Sequence, residues 1–246
     1  QTTVQKWRDA KGVGKDANIE KKKNEFESED LKKFRSLTKD FLSENVQHDY
    51  YYGAVWVTWE KDIVNRSKSA IEKYTQMLKD KIEFYAFLQY TFFRQWQSVK
   101  QYAHKYNISI IGDIPIFVAW DSADVWENKD LFYLDSNGFP KECAGVPPDY
   151  FSPTGQLWGN PLYNWDKHKK TGYVWWINRI KNCLKLTDAI RIDHFRGFES
   201  YYAIPFGMPD ATIGQWVKGP GEDFFNAVIK ELGSCPFIAE DLGIIT

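Results

Sequence analysis

The sequence predicts an α/β fold built on a parallel sheet with helices packed against it, and three observations lead there. Short apolar runs alternate with segments of helical period along the second half of the 246-residue chain. Three of these runs end on an acidic residue, at Asp113, Asp193 and Glu240. Each then breaks into proline or glycine within a few residues, as a buried strand does on leaving its sheet. Strand–helix–strand order makes the sheet parallel, and in a parallel α/β barrel the strand C-termini carry the active site. An open doubly wound sheet also binds ligands there. No glycine-rich phosphate loop is present, so a barrel is the better reading.

Taken in order, residues 1–30 are polar and read as loop, with Lys21–Lys23 a solvated face. From Asp30, Leu31, Phe34, Leu37, Phe41 and Leu42 recur at helical spacing. The run Ala54–Trp59 reads as extended, with a buried helix as the alternative. Residues 68–105 read as one long or two consecutive helices, carrying Ile71, Tyr74, Leu78, Ile82, Tyr85, Leu88 and Phe92 on one face. Ile108–Pro115 is a strand whose pairing Pro115 ends. Residues 117–165 hold five prolines (140, 147, 148, 153 and 161) and no sustained period. So long an irregular stretch in a compact protein usually carries function. A helix follows at 172–186, then the strand Asp188–Asp193, an irregular stretch at 197–220, a helix at 222–232 and the strand Pro236–Glu240. The expected organisation is a loop and mostly helical region over 1–105, then a three-strand part of a barrel over 106–246 with a loop subdomain at 117–165.

Composition narrows the partners. Lys plus Arg number 32 against 33 Asp plus Glu, a net charge of −1, which favours neither nucleic acid nor an anionic membrane. No apolar stretch reaches membrane-spanning length. Cys143, Cys183 and Cys235 are odd in number and in no metal spacing, which predicts free thiols in a reducing compartment. The histidines at 48, 104 and 168 are scattered and no carboxylate run has EF-hand spacing, so no metal is predicted. A serine hydrolase elbow is absent. Aromatic residues make up 17% of the chain. Most belong in a core, yet several suit a sugar cleft, because flat rings pack on the apolar faces of pyranoses.

Two carboxylates on successive strand ends suit glycosidic bond cleavage, one as nucleophile and one as acid/base. On the strand 188–193, Asp193 and Arg191 share a face while Ile190 and Ile192 turn toward the helices. A buried Arg191 guanidinium holds Asp193 ionised, as a nucleophile requires; the alternative is a structural ion pair. Glu240 follows Phe237, Ile238 and Ala239, surroundings expected to raise its pKa and keep it a proton donor. Its bland alternative is a carboxylate leading into the next helix. Asp241 reads as structural. His194 is either a satisfied structural residue or a donor to a sugar hydroxyl, and Asp113 either fixes its strand end or touches substrate.

Five stretches resemble the amylomaltases and occur in that family's order: Ile111–Val118, Ala144–Ser152, Gln156–Pro161, Arg191–Gly197 and Ala239–Gly243. These are 4-α-glucanotransferases, or disproportionating enzymes, related to the α-amylases. The resemblance covers about residues 80–246 and is loose before that. It implies a (β/α)8 TIM barrel of the amylase type with inserted helical and loop-rich subdomains, of which this chain holds a central part. It implies retaining transfer between α-1,4-glucans, with Asp193 as nucleophile and Glu240 as general acid/base. Arg191 and His194 match positions beside the nucleophile, and Asp113 a substrate-contacting strand end. Asp149, Tyr150, Phe151 and Trp158 fall in the loop that lies over the family's cleft. The family needs no metal or organic cofactor and is expected in the cytoplasm or a plastid. Its third carboxylate, an Asp beside a His on a later strand, is expected beyond these residues, as are the first barrel strands. The chain therefore reads as an internal piece, inactive alone. An α-amylase-type hydrolase using water is the alternative, against which the Pro147–Phe151 loop speaks. A catalytically dead carbohydrate-binding module is a third reading, opposed by the presence of both Asp193 and Glu240. The sequence does not indicate an oligomeric state.

Overall fold

Local period and long-range pairing divide the architecture between them. The computed structural model describes residues 54–234 and 237–240; the loop over 1–30 and the helix expected from Asp30 lie outside the described residues. Ala54–Trp59 is not extended. Trp56–Thr58 forms a single 3-10 turn, despite its β-branched residues. Tertiary anchoring decides this: the Trp56 backbone N–H donates to Asp121 Oδ1 at 3.1 Å and its indole to the Trp120 carbonyl at 3.0 Å.

A short helix α1 (Lys61–Val64) leads to α2 (Lys68–Met77), whose Ser67 N-cap hydroxyl accepts the Ala70 N–H at 3.3 Å. Leu78 breaks the path before α3 (Lys79–Lys105), so the 68–105 stretch is two helices. β1 (Ile111–Pro115) follows, then α4 (Ala123–Glu127), β2 (Glu142–Val146) and β3 (Gln156–Pro161). α5 (Trp165–Lys170), α6 (Val174–Leu186), β4 (Ala189–Asp193), β5 (Ser200–Pro205) and β6 (Gln215–Lys218) come next. The order closes with α7 (Glu222–Leu232) and β7 (Phe237–Ala239).

The strands ending in acidic residues form a parallel three-stranded sheet in the order β1-β4-β7. Its register sets Asp113 beside Arg191 and Arg191 beside Ile238. Ile190 and Ile192 are fully buried on the helix side, so Arg191 and Asp193 face the other way, as period 2 requires. The Arg191 guanidinium itself is not buried: its side chain is 36% exposed, because the carboxylate side of the sheet opens to solvent among the described residues.

The two segments read as irregular are corrected by a second sheet. β2, β3, β5 and β6 pair antiparallel in the order β3-β2-β5-β6, drawing strands from both 117–165 and 197–220. These strands are short and interrupted by glycine and proline. Their pairing spans up to 63 positions, as between Glu142 and Pro205, so no local period announces them. A register shift between Cys143 and Gly145 bends β2. Gly145 leaves no room for a side chain, since a Cβ there would lie 2.2 Å from the Gln156 carbonyl oxygen.

Aromatic residues build the core between the sheets and helices. Trp176, Phe198 and Phe224 are buried, and the last two stack with centroids 4.7 Å apart and planes at 6°. Among the described residues no helix is long and apolar enough to cross a membrane.

Candidate active site

Three adjacent strand ends bring Asp113, Asp193 and Glu240 to one edge of the parallel sheet, and Arg191 ties them together. Its Nη1 donates to Asp113 Oδ2 at 2.6 Å. Its Nη2 reaches Asp193 Oδ1 at 3.5 Å and hydrogen-bonds Glu240 Oε1. The guanidinium thus spans carboxylates from all three strands, with its fork aimed along the sheet edge. Glu240 is the most enclosed, its side chain 10% exposed against 49% for Asp193.

The turn after β4 completes the constellation. His194 sits in the left-handed region at φ 55°, a conformation few non-glycine residues adopt. That twist points its backbone N–H at Glu240 Oε2, 2.7 Å away. Its ring turns elsewhere and meets the Trp158 ring edge-on at 4.8 Å, while Nε2 is buried with no hydrogen-bond partner among the described residues. Burial lowers the imidazole pKa, which keeps the ring neutral. Trp158 is steadied in turn by Gln156, whose Oε1 accepts the indole N–H at 3.0 Å.

The protonation states differ from expectation. A hydrogen bond to Glu240, followed by lost hydration, raises the Asp193 pKa; the Arg191 charge opposes this only in part. The hydrogen bond from Asp193, together with the His194 N–H and Arg191, lowers that of Glu240. Arg191 is divided among three acids, so its charge offsets the rise at Asp193 only in part. Within the pair these contacts push Asp193 up and Glu240 down, the reverse of the order read from the sequence.

Asp149, Tyr150 and Phe151 are not brought to this constellation. Asp149 Oδ1 accepts the N–H groups of Phe151 at 2.9 Å and Ser152 at 2.7 Å, so its side chain folds the turn. Tyr150 is 96% exposed and Phe151 91%, their rings edge to face at 5.7 Å. Trp158 does join the site, by way of the His194 ring.

Sequence reasoning missed Gln156, although its spacing of two from Trp158 on one strand placed both on the same face. The roles of Ile116 and Arg179 carried no local signal, since their partners lie 63 positions apart. Among the described residues no cluster of three or more His, Cys, Asp or Glu is placed to hold a metal ion. A separate cleft of about 700 Å³, lined by Trp56, Phe132, Asp135 and Phe139 among others, includes none of the three carboxylates.

Known proteins are similar to this chain. A 4-alpha-glucanotransferase from Aquifex aeolicus is 44% identical over 239 residues, covering 91% of this chain and 49% of that protein. The chloroplastic/amyloplastic 4-alpha-glucanotransferase of Solanum tuberosum is 47% identical over 191 residues, or 78% of this chain and 33% of that protein. The amylomaltase of Streptococcus agalactiae, solved in complex with acarbose, superposes with a TM-score of 0.84 at 41% identity, over 88% of this chain and 44% of that one. The chain therefore spans about half the length of the curated relatives it matches, or less. With the sequence profile of the 4-alpha-glucanotransferase family matching residues 6–246, nearly the whole of its length, the chain belongs to that family.

Proposed function

We propose that the protein carrying this chain is a 4-α-glucanotransferase that moves α-1,4-glucan segments from a donor to the 4-hydroxyl of an acceptor glucan, with retention of configuration. The observation that carries this is the placement of Asp193 and Glu240 on the neighbouring ends of paired parallel strands, with Arg191 reaching both. Carboxyls in an inverting enzyme stand roughly 6.5–9.5 Å apart to admit water, whereas a retaining pair sits closer, near 5 Å. Two carboxyls next to each other on paired strands and reached by one guanidinium fall on the short side of that division.

In this reading β1, β4 and β7 belong to an eight-stranded barrel, supported by the superposition on the Streptococcus agalactiae amylomaltase. A glucan entering between the two acids breaks their mutual hydrogen bond. The pair's proton is then held by Glu240, the more enclosed of the two, and Asp193 stands as carboxylate beside the Arg191 guanidinium. Asp193 attacks the anomeric carbon while Glu240 protonates the departing oxygen, giving a glucosyl-enzyme and a shortened glucan. Glu240, now carboxylate, takes the proton from the acceptor 4-hydroxyl as that oxygen displaces Asp193. The His194 N–H holds Glu240 in place throughout. Asp113, which shares Arg191, contacts the sugar beside the reacting bond. Asp149 shapes the loop that presents Tyr150 and Phe151 to glucan, and Trp158 walls the cleft on the side of His194.

Acceptor choice separates transfer from hydrolysis. Exposed rings at Tyr150 and Phe151 are suited to hold a second glucan and exclude water. The compartment in this reading is the cytoplasm, or a plastid in a plant host, as the name of the potato relative indicates. The test is the product profile of the full-length protein on maltotriose alone. Glucose with maltopentaose and longer chains supports transfer; glucose and maltose with nothing longer gives the hydrolase reading instead. Asp193→Ala separates both from a binding module, since it removes turnover and leaves glucan binding largely intact.

A further inference from the structure

Just beyond β1 the chain is fixed by a group that the chemistry above does not use. The Ile116 N–H donates to the carbonyl oxygen of Asp193 at 3.2 Å. Its own carbonyl accepts from the Tyr163 hydroxyl at 2.7 Å and from Arg179 Nη1 at 3.1 Å. Arg179 Nη2 donates to the preceding carbonyl, that of Pro115, at 2.8 Å. Strand-end carbonyls that have left their ladder need donors, and a planar guanidinium fork suits two successive ones.

Arg179 is itself held. It projects from α6 with its guanidinium over the Trp176 ring at 4.8 Å and near Trp175 at 5.7 Å. Tyr163 is fully buried. The next residue, Phe117, stacks on Tyr163 at 5.7 Å and approaches Trp158 at 6.5 Å. One peptide therefore joins the backbone of Asp193 to the aromatic wall made by Trp158 and His194.

We propose that Arg179, assisted by Tyr163, is a positioning residue for Asp193: by holding the Pro115 and Ile116 carbonyls it sets the height of the Asp193 backbone and the placement of Trp158. The proposal rests on Asp193 acting as nucleophile. A displacement of about 1 Å at a reacting group costs on the order of a hundredfold in rate. Arg179 holds backbone carbonyls and none of the site carboxylates, so binding should change far less.

The experiment compares Arg179→Met, Arg179→Lys, Tyr163→Phe and Asp193→Asn in the full-length protein, with kcat and KM for maltotriose disproportionation and the thermal midpoint of each. Arg179→Met is expected to lower kcat per folded molecule roughly 10- to 100-fold with KM changed less than about threefold. Arg179→Lys should recover part of the loss, because one ammonium reaches one carbonyl well and the other poorly. Tyr163→Phe should give a smaller fall in kcat and a larger share of hydrolysis. A folded Arg179→Met with unchanged kcat overturns the proposal, as does a loss fully explained by unfolded protein. If Arg179→Met does not fold, Arg179→Lys and Tyr163→Phe decide by the same criterion. Turnover by Asp193→Asn removes the nucleophile reading and this proposal with it. An inactive Asp193→Asn beside a fully active Arg179→Met overturns only the positioning role.

Discussion

The backbone N–H of His194 donates to Glu240 Oε2 at 2.7 Å, so the peptide that follows Asp193 also orients Glu240. The bond depends on the left-handed conformation of His194, φ 55°. Asparagine adopts that conformation readily and a β-branched residue does not. His194→Asn and His194→Val both lose the ring that packs on Trp158, and differ chiefly in backbone strain. The valine variant is expected to have a kcat about tenfold below the asparagine variant, given strain on the order of 1–3 kcal/mol. Equal rates in the two would show that the N–H to Glu240 bond does not matter to turnover.

The opposite shifts of Asp193 and Glu240 predict a bell-shaped pH profile wider than two ordinary carboxyls give. The hydrogen bond from Asp193, with the His194 N–H and Arg191, lowers the Glu240 pKa. The second proton is therefore taken up only below the usual carboxylate range, and activity persists well into acid. The hydrogen bond to Glu240 raises the Asp193 pKa, so the pair's remaining proton leaves only above that range and activity is lost there as pH rises. Arg191→Lys removes the fork that reaches both Asp113 and Glu240. It should lower kcat about a hundredfold and move the acid limb upward. The profile of kcat/KM against pH for both proteins checks this; an unmoved acid limb in the variant assigns Arg191 no part in holding Glu240 ionised.

What sequence could reveal follows the range of the interactions. Helices α3 and α6 and the strands β1, β4 and β7 are set by apolar periods and by breakers within a few residues, so each was legible, along with the acidic strand ends. The antiparallel sheet was not, because β2 takes its partner β5 from beyond two intervening strands, β3 and β4, and the helices α5 and α6, through short runs with no sustained period. At the site, the strand period brought Asp193, Arg191, Glu240 and Asp113 to one sheet edge, where Arg191 contacts all three carboxylates. The downward shift of Glu240 was not legible, because it depends in part on a His194 N–H that reaches Glu240 across 46 positions through a left-handed turn. The local role of Asp149 was hidden in a different way. Its side chain closes its own turn, a local Asx pattern that an aspartate before an aromatic pair does not advertise.

The far end of the same sheet carries a stability prediction. Asp188, just before β4, accepts the Ile110 N–H at 2.8 Å and pairs with His104 Nε2 at 2.9 Å and Lys100 Nζ at 3.1 Å. It thereby joins α3 to the starts of β1 and β4. The Ile110 N–H first, then His104 and Lys100, hold its carboxyl well below the usual range. A depressed folded-state pKa contributes stability that is present above the unfolded value, near 3.9, and is lost as pH falls below it. Asp188→Asn should lower the thermal midpoint of the full-length protein at pH 7 by roughly 5 °C. As pH falls below the unfolded value the gap to wild type should shrink progressively, since the unfolded chain takes up the proton first and the folded carboxyl follows only further into acid. A gap that stays constant with pH would assign the loss to packing rather than to the carboxylate.

Trp158 offers a way to separate transfer from hydrolysis without touching the acids. Its indole is anchored by Gln156 at 3.0 Å, its ring leans on His194 at 4.8 Å, and it is 37% exposed, leaving part of the ring open for a sugar. An aromatic face of this kind binds a pyranose mainly through apolar contact, a loss that falls on the acceptor more than on bond cleavage. Trp158→Ala opens that wall to water and uncovers the neutral His194 ring, while Arg191 and the carboxyls keep their contacts. The expected result is a modest fall in donor cleavage, within about tenfold, and a marked rise in free glucose relative to maltopentaose from maltotriose. Trp158→Phe keeps a flat ring and loses only the Gln156 hydrogen bond, so it should stay close to wild type in that ratio. If both variants transfer as efficiently as the parent, the water-excluding wall lies elsewhere, and the exposed rings of Tyr150 and Phe151 become the groups to substitute.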